Sequence, residues 1–67
     1  MYTIVLKDVE GYEITRTSED NLKDARKAAV YFLTPVYATR MGTTHEALGT
    51  HKVEVIKNDE CVWDKFI

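Results

Sequence analysis

The sequence predicts a small α+β domain with the order ββαββ, in which a four-stranded antiparallel sheet carries one main helix on one face. Three observations predict it: two β-branched segments near the start, a central segment with helical spacing of apolar residues, and two alternating segments near the end. The chain has 67 residues. This length allows a single domain over residues 1–67 and no more.

The first two strands are predicted to form a hairpin. Residues 2–7 are β-branched and aromatic and too short for a stable helix, whereas residues 12–17 alternate polar and apolar side chains. The connection from Asp8 to Gly11 supplies turn residues. We therefore expect the two segments to pair as antiparallel neighbours.

The central segment is predicted to form the main helix. Thr17 or Ser18 provides the N-cap, and the two acids that follow suit the positive end of the helix dipole. The apolar residues at helical spacing are Leu22, Ala25, Ala29, Phe32 or Leu33, and Val36. Because Pro35 interrupts the hydrogen-bond ladder, we expect a break at Thr34 and a second short helix over residues 35–41.

The last third of the chain is predicted to form one helical turn and a second hairpin. Thr43 or Thr44 caps the turn, and Gly49 ends it. Residues 52–57 and 61–67 read as strands, and the Asn, Asp and Glu between them supply turn chemistry.

Alternation along the strands divides the sheet into two faces. The face under the helix is predicted to carry Tyr2, Ile4, Leu6, Tyr12, Ile14, Val53 and Val55, with either Val62 and Phe66 or Cys61 and Trp63. The outer face is predicted to carry Thr3, Val5, Glu13, Thr15, Glu54 and Ile56. One helix covers only part of four strands, so Val5 and Ile56, with Trp63 if it faces outward, are expected to form an apolar patch typical of interfaces. In the alternative interpretation, long neighbours such as Lys57 and Lys65 cover that patch.

Composition narrows the function classes. The formal net charge is −2, from 11 acids and 9 bases, whereas a general nucleic-acid binder needs a basic excess. The single cysteine, Cys61, forms no internal disulfide, and this fits a reducing cytoplasm. The first residues lack the basic region of a signal peptide, and no stretch approaches the ~20 apolar residues of a membrane helix. We therefore expect no membrane partner.

Few residues suggest chemistry. His45, Glu46 and His51, with Cys61 as a fourth group, include the side chains that zinc prefers. Their spacing matches neither a helical pair nor a tight turn pair, so loop histidines without metal are the favoured interpretation. Cys61 with a histidine is a nucleophile and base in principle, but a lone strand cysteine is more often a small apolar filler. No glycine-rich phosphate loop is present, and we expect neither enzyme activity nor a cofactor.

The segment from Tyr37 to His45 is a candidate recognition element. It combines Tyr37, Arg40, Met41 and His45, and interfaces favour tyrosine, arginine and methionine. Tyr37 and Met41 also fit a role in closing the open end of the core. The candidate partner-binding residues are Tyr37, Arg40, Met41, His45, Val5, Ile56 and Trp63.

The layout resembles a known group of small proteins. Residues 21–29 form an Ala-rich helix, and residues 52–56 and 60–64 form a closing hairpin with tryptophan. This arrangement is similar to that of small phage and prophage proteins, including some anti-CRISPR proteins and phage-encoded antitoxins. The resemblance implies a protein of the bacterial host cytosol that binds a host protein stoichiometrically and covers its surface.

The leading functional prediction is therefore a non-enzymatic phage or mobile-element protein that binds and sterically inhibits a host protein, for example as an anti-CRISPR or other anti-defence inhibitor. Two alternatives remain. The first is a homo-oligomeric domain whose dimer buries the open sheet face or pairs edge strands. The second is a metal-binding domain that uses His45, Glu46 and His51.

Overall fold

Four antiparallel strands form one sheet in the computed structural model, which describes residues 1–67. The strands are β1 (Tyr2–Asp8), β2 (Glu13–Glu19), β3 (Thr50–Lys57) and β4 (Glu60–Phe66). The helices are α1 (Leu22–Phe32), α2 (Pro35–Arg40) and α3 (His45–Leu48). The predicted α+β class, with one main helix and a short second helix after Pro35, is confirmed.

The strand order across the sheet is β2-β1-β3-β4. The two hairpins therefore lie side by side, and β1 pairs with β3 in the centre, with Thr3 opposite Ile56. Strands β2 and β4 form the two edges. Helix α1 packs mainly over β1 and β3 and touches β4 least, so the β4 side of the sheet is the less covered one.

Helix α1 begins later than the sequence predicted. Thr17 and Ser18 are not its caps, because they pair with Ile4 and Thr3 and extend β2 to Glu19. The N-cap is Asn21, whose side chain accepts a hydrogen bond of 2.9 Å from the backbone N–H of Asp24. An Asn side chain accepts from an unpaired N–H at a helix start as well as Ser or Thr does. Because Thr17 and Ser18 pair with β1, the helix begins later and Asn21 is its cap.

The break after α1 and the turn before β3 are confirmed. Thr34 is the N-cap of α2, and Pro35 occupies its first turn, where the missing N–H is tolerated. Thr44 caps α3, and Gly49 ends it in the left-handed region at φ 71°. Glycine adopts that conformation without a steric penalty, so the chain reverses directly into β3.

The core lies between the sheet and α1. Its buried residues are Ile4, Leu6, Ala25, Ala29, Phe32, Tyr37, Val53 and Val55. The two alanines allow α1 to approach the sheet closely. Tyr12 was predicted to belong to this face but is 68% exposed. Asp8 holds Tyr12 in the hairpin turn by accepting its backbone N–H, so β2 starts only at Glu13.

The two ends of the predicted helical stripe are also exposed. Leu22 is the first residue of α1 and is 37% exposed, and Val36 in α2 is 56% exposed. Leu22 lies at the helix start, away from the strands that bury the middle of the stripe. Val36 follows the break at Thr34, which changes the direction of the helical face.

The register of β4 resolves which side of the last strand faces the helix. Trp63 pairs with buried Val55 and packs against the core, while Val62 and Phe66 are exposed. An irregularity in the β3–β4 register lies between Val55 and Ile56, opposite the start of β4. Such a bulge shifts the inward–outward alternation of side chains by one residue. The sequence pattern alone therefore could not show which side of β4 faces the helix.

Candidate functional site

The outer face of the sheet does not carry the predicted apolar patch. Val5 lies on this face but is only 3% exposed, and Ile56 is half-buried. In the sheet register Val5 stands between Arg16 on β2 and Glu54 on β3. Trp63 lies on the opposite face. The register neighbours of Val5 are therefore charged, whereas Lys57 lies over the ring of Tyr2 and Lys65 pairs with Val53.

A cluster of three charges occupies the centre of the outer face. The carboxylate of Glu54 forms an ion pair with the ammonium group of Lys7 at 2.6 Å and a second with that of Lys52 at 3.1 Å. The hydrogen bond from Lys7, reinforced by that from Lys52 and opposed by partial burial, holds the pKa of Glu54 below its ordinary value. The hydrogen bond to Glu54 likewise raises the pKa of Lys52.

Further polar contacts extend this surface. Arg16 donates from both Nε and Nη2 to the carboxylate of Glu13. The ammonium of Lys52 also lies 5.6 Å from the ring centroid of Phe66, which is a cation–π distance. The outer face is therefore closed by paired charges and offers no apolar surface at its centre.

His45 is half-buried, and both of its ring nitrogens face hydrogen-bond partners. Its Nε2 is 2.7 Å from the carbonyl oxygen of Thr34, and its Nδ1 is 2.8 Å from the hydroxyl of Thr50. A carbonyl only accepts, so Nε2 carries the proton and donates to Thr34. In the neutral ring Nδ1 then accepts from the Thr50 hydroxyl. The ring also stacks on Tyr37, with centroids 6.4 Å apart. Both nitrogens are thus used to tie α3 to α2 and β3.

The other candidate residues of the 37–45 segment divide into two groups. Tyr37 is 8% exposed and packs edge-on against Phe32, with centroids 4.9 Å apart, so it closes the open end of the core. Arg40 and Met41 lie at the end of α2 and are exposed, Met41 by 57%. They remain available to a partner.

The candidate metal ligands are not brought together. No three His, Cys, Asp or Glu side chains form a group suited to a metal ion. His45 is used as described, and His51 packs edge-on against Phe66 at 5.1 Å between centroids. Cys61 is exposed on β4 rather than buried as a filler, and its thiol lies 3.5 Å from the carbonyl oxygen of Trp63.

A groove runs between α1 and β4, where the helix leaves the sheet uncovered. Its volume is about 700 Å³. Its lining residues are Lys23, Arg26, Lys27, Val30, Tyr31, Thr34 and Trp63. We call this feature the α1–β4 groove. Each of these residues from Lys23 to Thr34 has another three or four positions away, so they form a single stripe along α1 that ends just beyond it at Thr34.

The charges of the α1–β4 groove are unpaired. Lys23, Arg26 and Lys27 take part in none of the ion pairs of the chain, and no acid lines the groove. Asp24 is near in sequence, but its carboxylate accepts from the side chain of Asn21. The sequence alone assigned these cations no functional role. The helical spacing between the cations and Tyr31 shows in the sequence that they share one face of α1. Only the position of Trp63 in the structure shows that a groove lies beside that face.

The edge of β4 next to the groove is open. Val62 is 45% exposed and Phe66 55% exposed. The backbone N–H of Ile67 donates to the backbone carbonyl oxygen of His51 on β3. Because inward donors alternate along an antiparallel strand, the N–H groups of Asp64 and Phe66 point away from the sheet. Unpaired edge groups of this kind accept an added strand.

No helix of the structure has the length and apolar character needed to cross a membrane. Two surface features stand as candidates for binding: the α1–β4 groove and the open edge of β4. Comparison of the chain with protein-family models, with curated proteins and with solved structures gave no match.

Proposed function

We propose that this chain is a non-enzymatic binding domain of phage or mobile-element origin that inhibits a host protein by covering part of its surface. The observation that supports the proposal is the open edge of β4, which presents outward backbone donors next to the α1–β4 groove and the exposed ring of Phe66 on the outer face of the sheet. The candidate chemical residues, by contrast, are engaged in packing or lie apart.

The mechanism is strand addition. An extended segment of the partner pairs with β4 as a fifth strand, and main-chain hydrogen bonds supply affinity while side-chain pockets supply specificity. The exposed Val62 and Phe66 lie on this strand, and burying exposed apolar area contributes roughly 25 cal/mol per Å². The bound domain then blocks the partner surface sterically.

A matched pair of substitutions tests this mechanism. Val62→Lys places a charge on the β4 edge, a device that natural edges use to prevent strand addition. Val9→Lys makes the same change at a residue that is 69% exposed in the turn after β1. Tagged proteins are purified gently from bacterial host cells, and bound proteins are identified by mass spectrometry. We expect a stoichiometric partner with wild type and Val9→Lys and its loss with Val62→Lys. Recovery of no partner with wild type contradicts the proposal.

The resemblance to anti-defence proteins gives the proposal its specific form. We expect cells that carry CRISPR immunity and express this chain to become sensitive to a targeted phage, and to remain resistant when they express Val62→Lys. Plaque counts measure the effect. If a host partner is bound but immunity is unchanged, the binding function stands and the anti-defence role is wrong.

A second candidate function uses the same edge. Val62 and Phe66 would also be buried if β4 paired with β4 of a second copy, giving a homo-oligomeric domain. Multi-angle light scattering at high protein concentration separates the two candidates. A dimer that Val62→Lys converts to a monomer favours self-association, and a wild-type monomer excludes it.

A further inference from the structure

We propose that the α1–β4 groove selects an acidic segment of the partner and packs one of its apolar side chains against Trp63. This inference rests on the proposed binding function and names the chemistry of the bound segment. A strand added beside β4 points alternate side chains toward α1, so the segment that pairs with the edge also reaches the groove.

The first support is the placement of charge along α1. Lys23 and Lys27 are four residues apart, and Arg26 lies three residues from Lys23, so like charges are neighbours on one stripe. Lys23 lies in the first turn of α1, where the helix dipole favours anions, and the last turn of α1 has no base. Helix stability alone favours the reverse distribution. A bound anion offsets both unfavourable effects.

The second support is the contrast between the groove and the whole chain. The formal net charge is −2, yet the groove is lined by three unpaired cations and no acid. Asp24 follows Lys23 on α1 but does not line the groove, so the acidic excess of the chain lies outside it. A short acidic segment contacts the three cations alone, whereas a long polyanion such as a nucleic acid also meets the acidic surface outside the groove. The geometry therefore favours a peptide.

The third support is the apolar end of the groove. Val30 is 42% exposed, and Tyr31 and Trp63 are half-buried beside it. The stripe from Lys23 to Thr34 is about 16 Å long at the rise of an α-helix. An extended segment of about five residues spans that length. The site thus fits a segment with acids at one end and an aliphatic or aromatic side chain at the other.

The test begins with selection from a display library of random twelve-residue peptides on the wild-type protein. An enriched peptide is then synthesised and titrated, with the fluorescence of Trp63, the single tryptophan of the chain, as the readout. The double variant Lys23→Glu/Lys27→Glu reverses the groove charge, and Arg16→Glu is the control at an exposed arginine on β2, the edge strand remote from β4. Melting curves establish that each variant is folded.

We expect the enriched peptides to combine acids with an aliphatic or aromatic residue. The double variant is expected to weaken binding by about ten-fold or more, and Arg16→Glu by less than about two-fold, because only charges at the interface act strongly. Added salt should weaken binding by wild type. Enriched peptides without an acidic excess, equal affinity in the double variant, or tighter binding of an oligothymidylate each overturn the inference.

The two proposals fail separately. If the host partner is lost with Val62→Lys but kept by the charge-reversed groove variant, the binding function stands and the acidic selectivity is wrong. If no host partner is recovered but acidic peptides bind wild type and not the groove variant, the selectivity stands and the inhibitory function is wrong.

Discussion

At the scale of single residues, His45 joins three parts of the chain that meet at the end of the core. It donates to the carbonyl of Thr34 before α2, contacts the hydroxyl of buried Thr50 on β3, and stacks on Tyr37. Buried polar atoms that lose a partner are costly. The histidine that the sequence presented as a recognition or metal residue therefore has an internal structural role.

Replacement of His45 by alanine tests that role. We expect His45→Ala to lower the free energy of unfolding by about 1–3 kcal/mol, because two polar groups lose their partner. His51→Ala is the control, since His51 is exposed and contacts only the ring of Phe66, and we expect a change within about 0.5 kcal/mol. Urea denaturation measures both. Equal effects of the two substitutions would contradict the structural role.

Glu54 is the second single residue that is expected to affect the stability of the whole domain. It is nearly buried on the outer face and is neutralised by Lys7 and Lys52. Its pKa is lowered in the folded chain from an ordinary value of 4.5. A lowered pKa in the folded state means that the pairing stabilises the protein above the unfolded-state pKa and that this contribution is lost as the pH falls.

The pH dependence of stability checks this linkage. At pH 7 we expect Glu54→Gln to lower the free energy of unfolding by about 1 kcal/mol. The difference from wild type should shrink below pH 4.5, as the carboxyl of Glu54 becomes protonated. Glu60→Gln, at an exposed acid outside all ion pairs, is the control. A difference that stays constant from pH 7 to pH 3 would show that the ion pairs contribute no linkage.

At the scale of elements, the turn between β3 and β4 holds two non-glycine residues in a backbone conformation that favours glycine. Asn58 and Asp59 both have positive φ, at 53° and 63°. Such two-residue hairpin turns match the twist of the strands and prefer glycine at the second position. Asn and Asp tolerate the left-handed region better than other residues, but glycine adopts it without the steric penalty.

We therefore expect Asp59→Gly to stabilise the protein by about 0.5–1 kcal/mol, because the left-handed conformation loses its steric penalty. For a domain of this size that gain raises Tm by roughly 2–8 °C. Asp59→Ala keeps a side chain but lacks the tolerance of Asp, so we expect it to lower Tm. Differential scanning calorimetry measures both changes, and a lower Tm for the glycine variant would contradict this account of the turn.

The elements also show how far the sequence predicts this structure. The strong local signals worked: Pro35 after Thr34 marked the helix break, and Gly49 marked the end of α3. Boundaries that depend on distant pairing did not. Thr17 and Ser18 are good caps in isolation, but pairing with β1 draws them into β2. The side of β4 that faces α1 depends on a bulge, which no alternation pattern reveals.

The candidate site was harder to predict for the same reason. The sequence shows that Lys23, Arg26 and Lys27 share a helix face, and it does not show what lies beside that face. The groove exists because α1 sits over β1 and β3 and leaves Trp63 on the uncovered side. This offset results from packing between distant segments and has no local signature.

At the scale of the whole molecule, one helix covers one face of the sheet and charges close the other. The sequence predicted an exposed apolar patch around Val5 and Ile56 on the uncovered face, or its coverage by Lys57 and Lys65. The ion pairs of Lys7, Glu54 and Lys52 instead shield that face without a second layer. The apolar surface left exposed is displaced to the β4 edge and the α1–β4 groove, and both proposals use that side of the molecule.

The central pairing of β1 with β3 has a consequence for how the chain reaches its native state. Residues 1–41 hold β1 and α1 without the strand that completes their core, and residues 42–67 hold little more than a hairpin, which is marginal alone. A cut between Met41 and Gly42 should thus give two disordered fragments that regain the native circular dichroism only when mixed. Cooperative melting of either fragment alone would show that assembly can begin within one half of the chain.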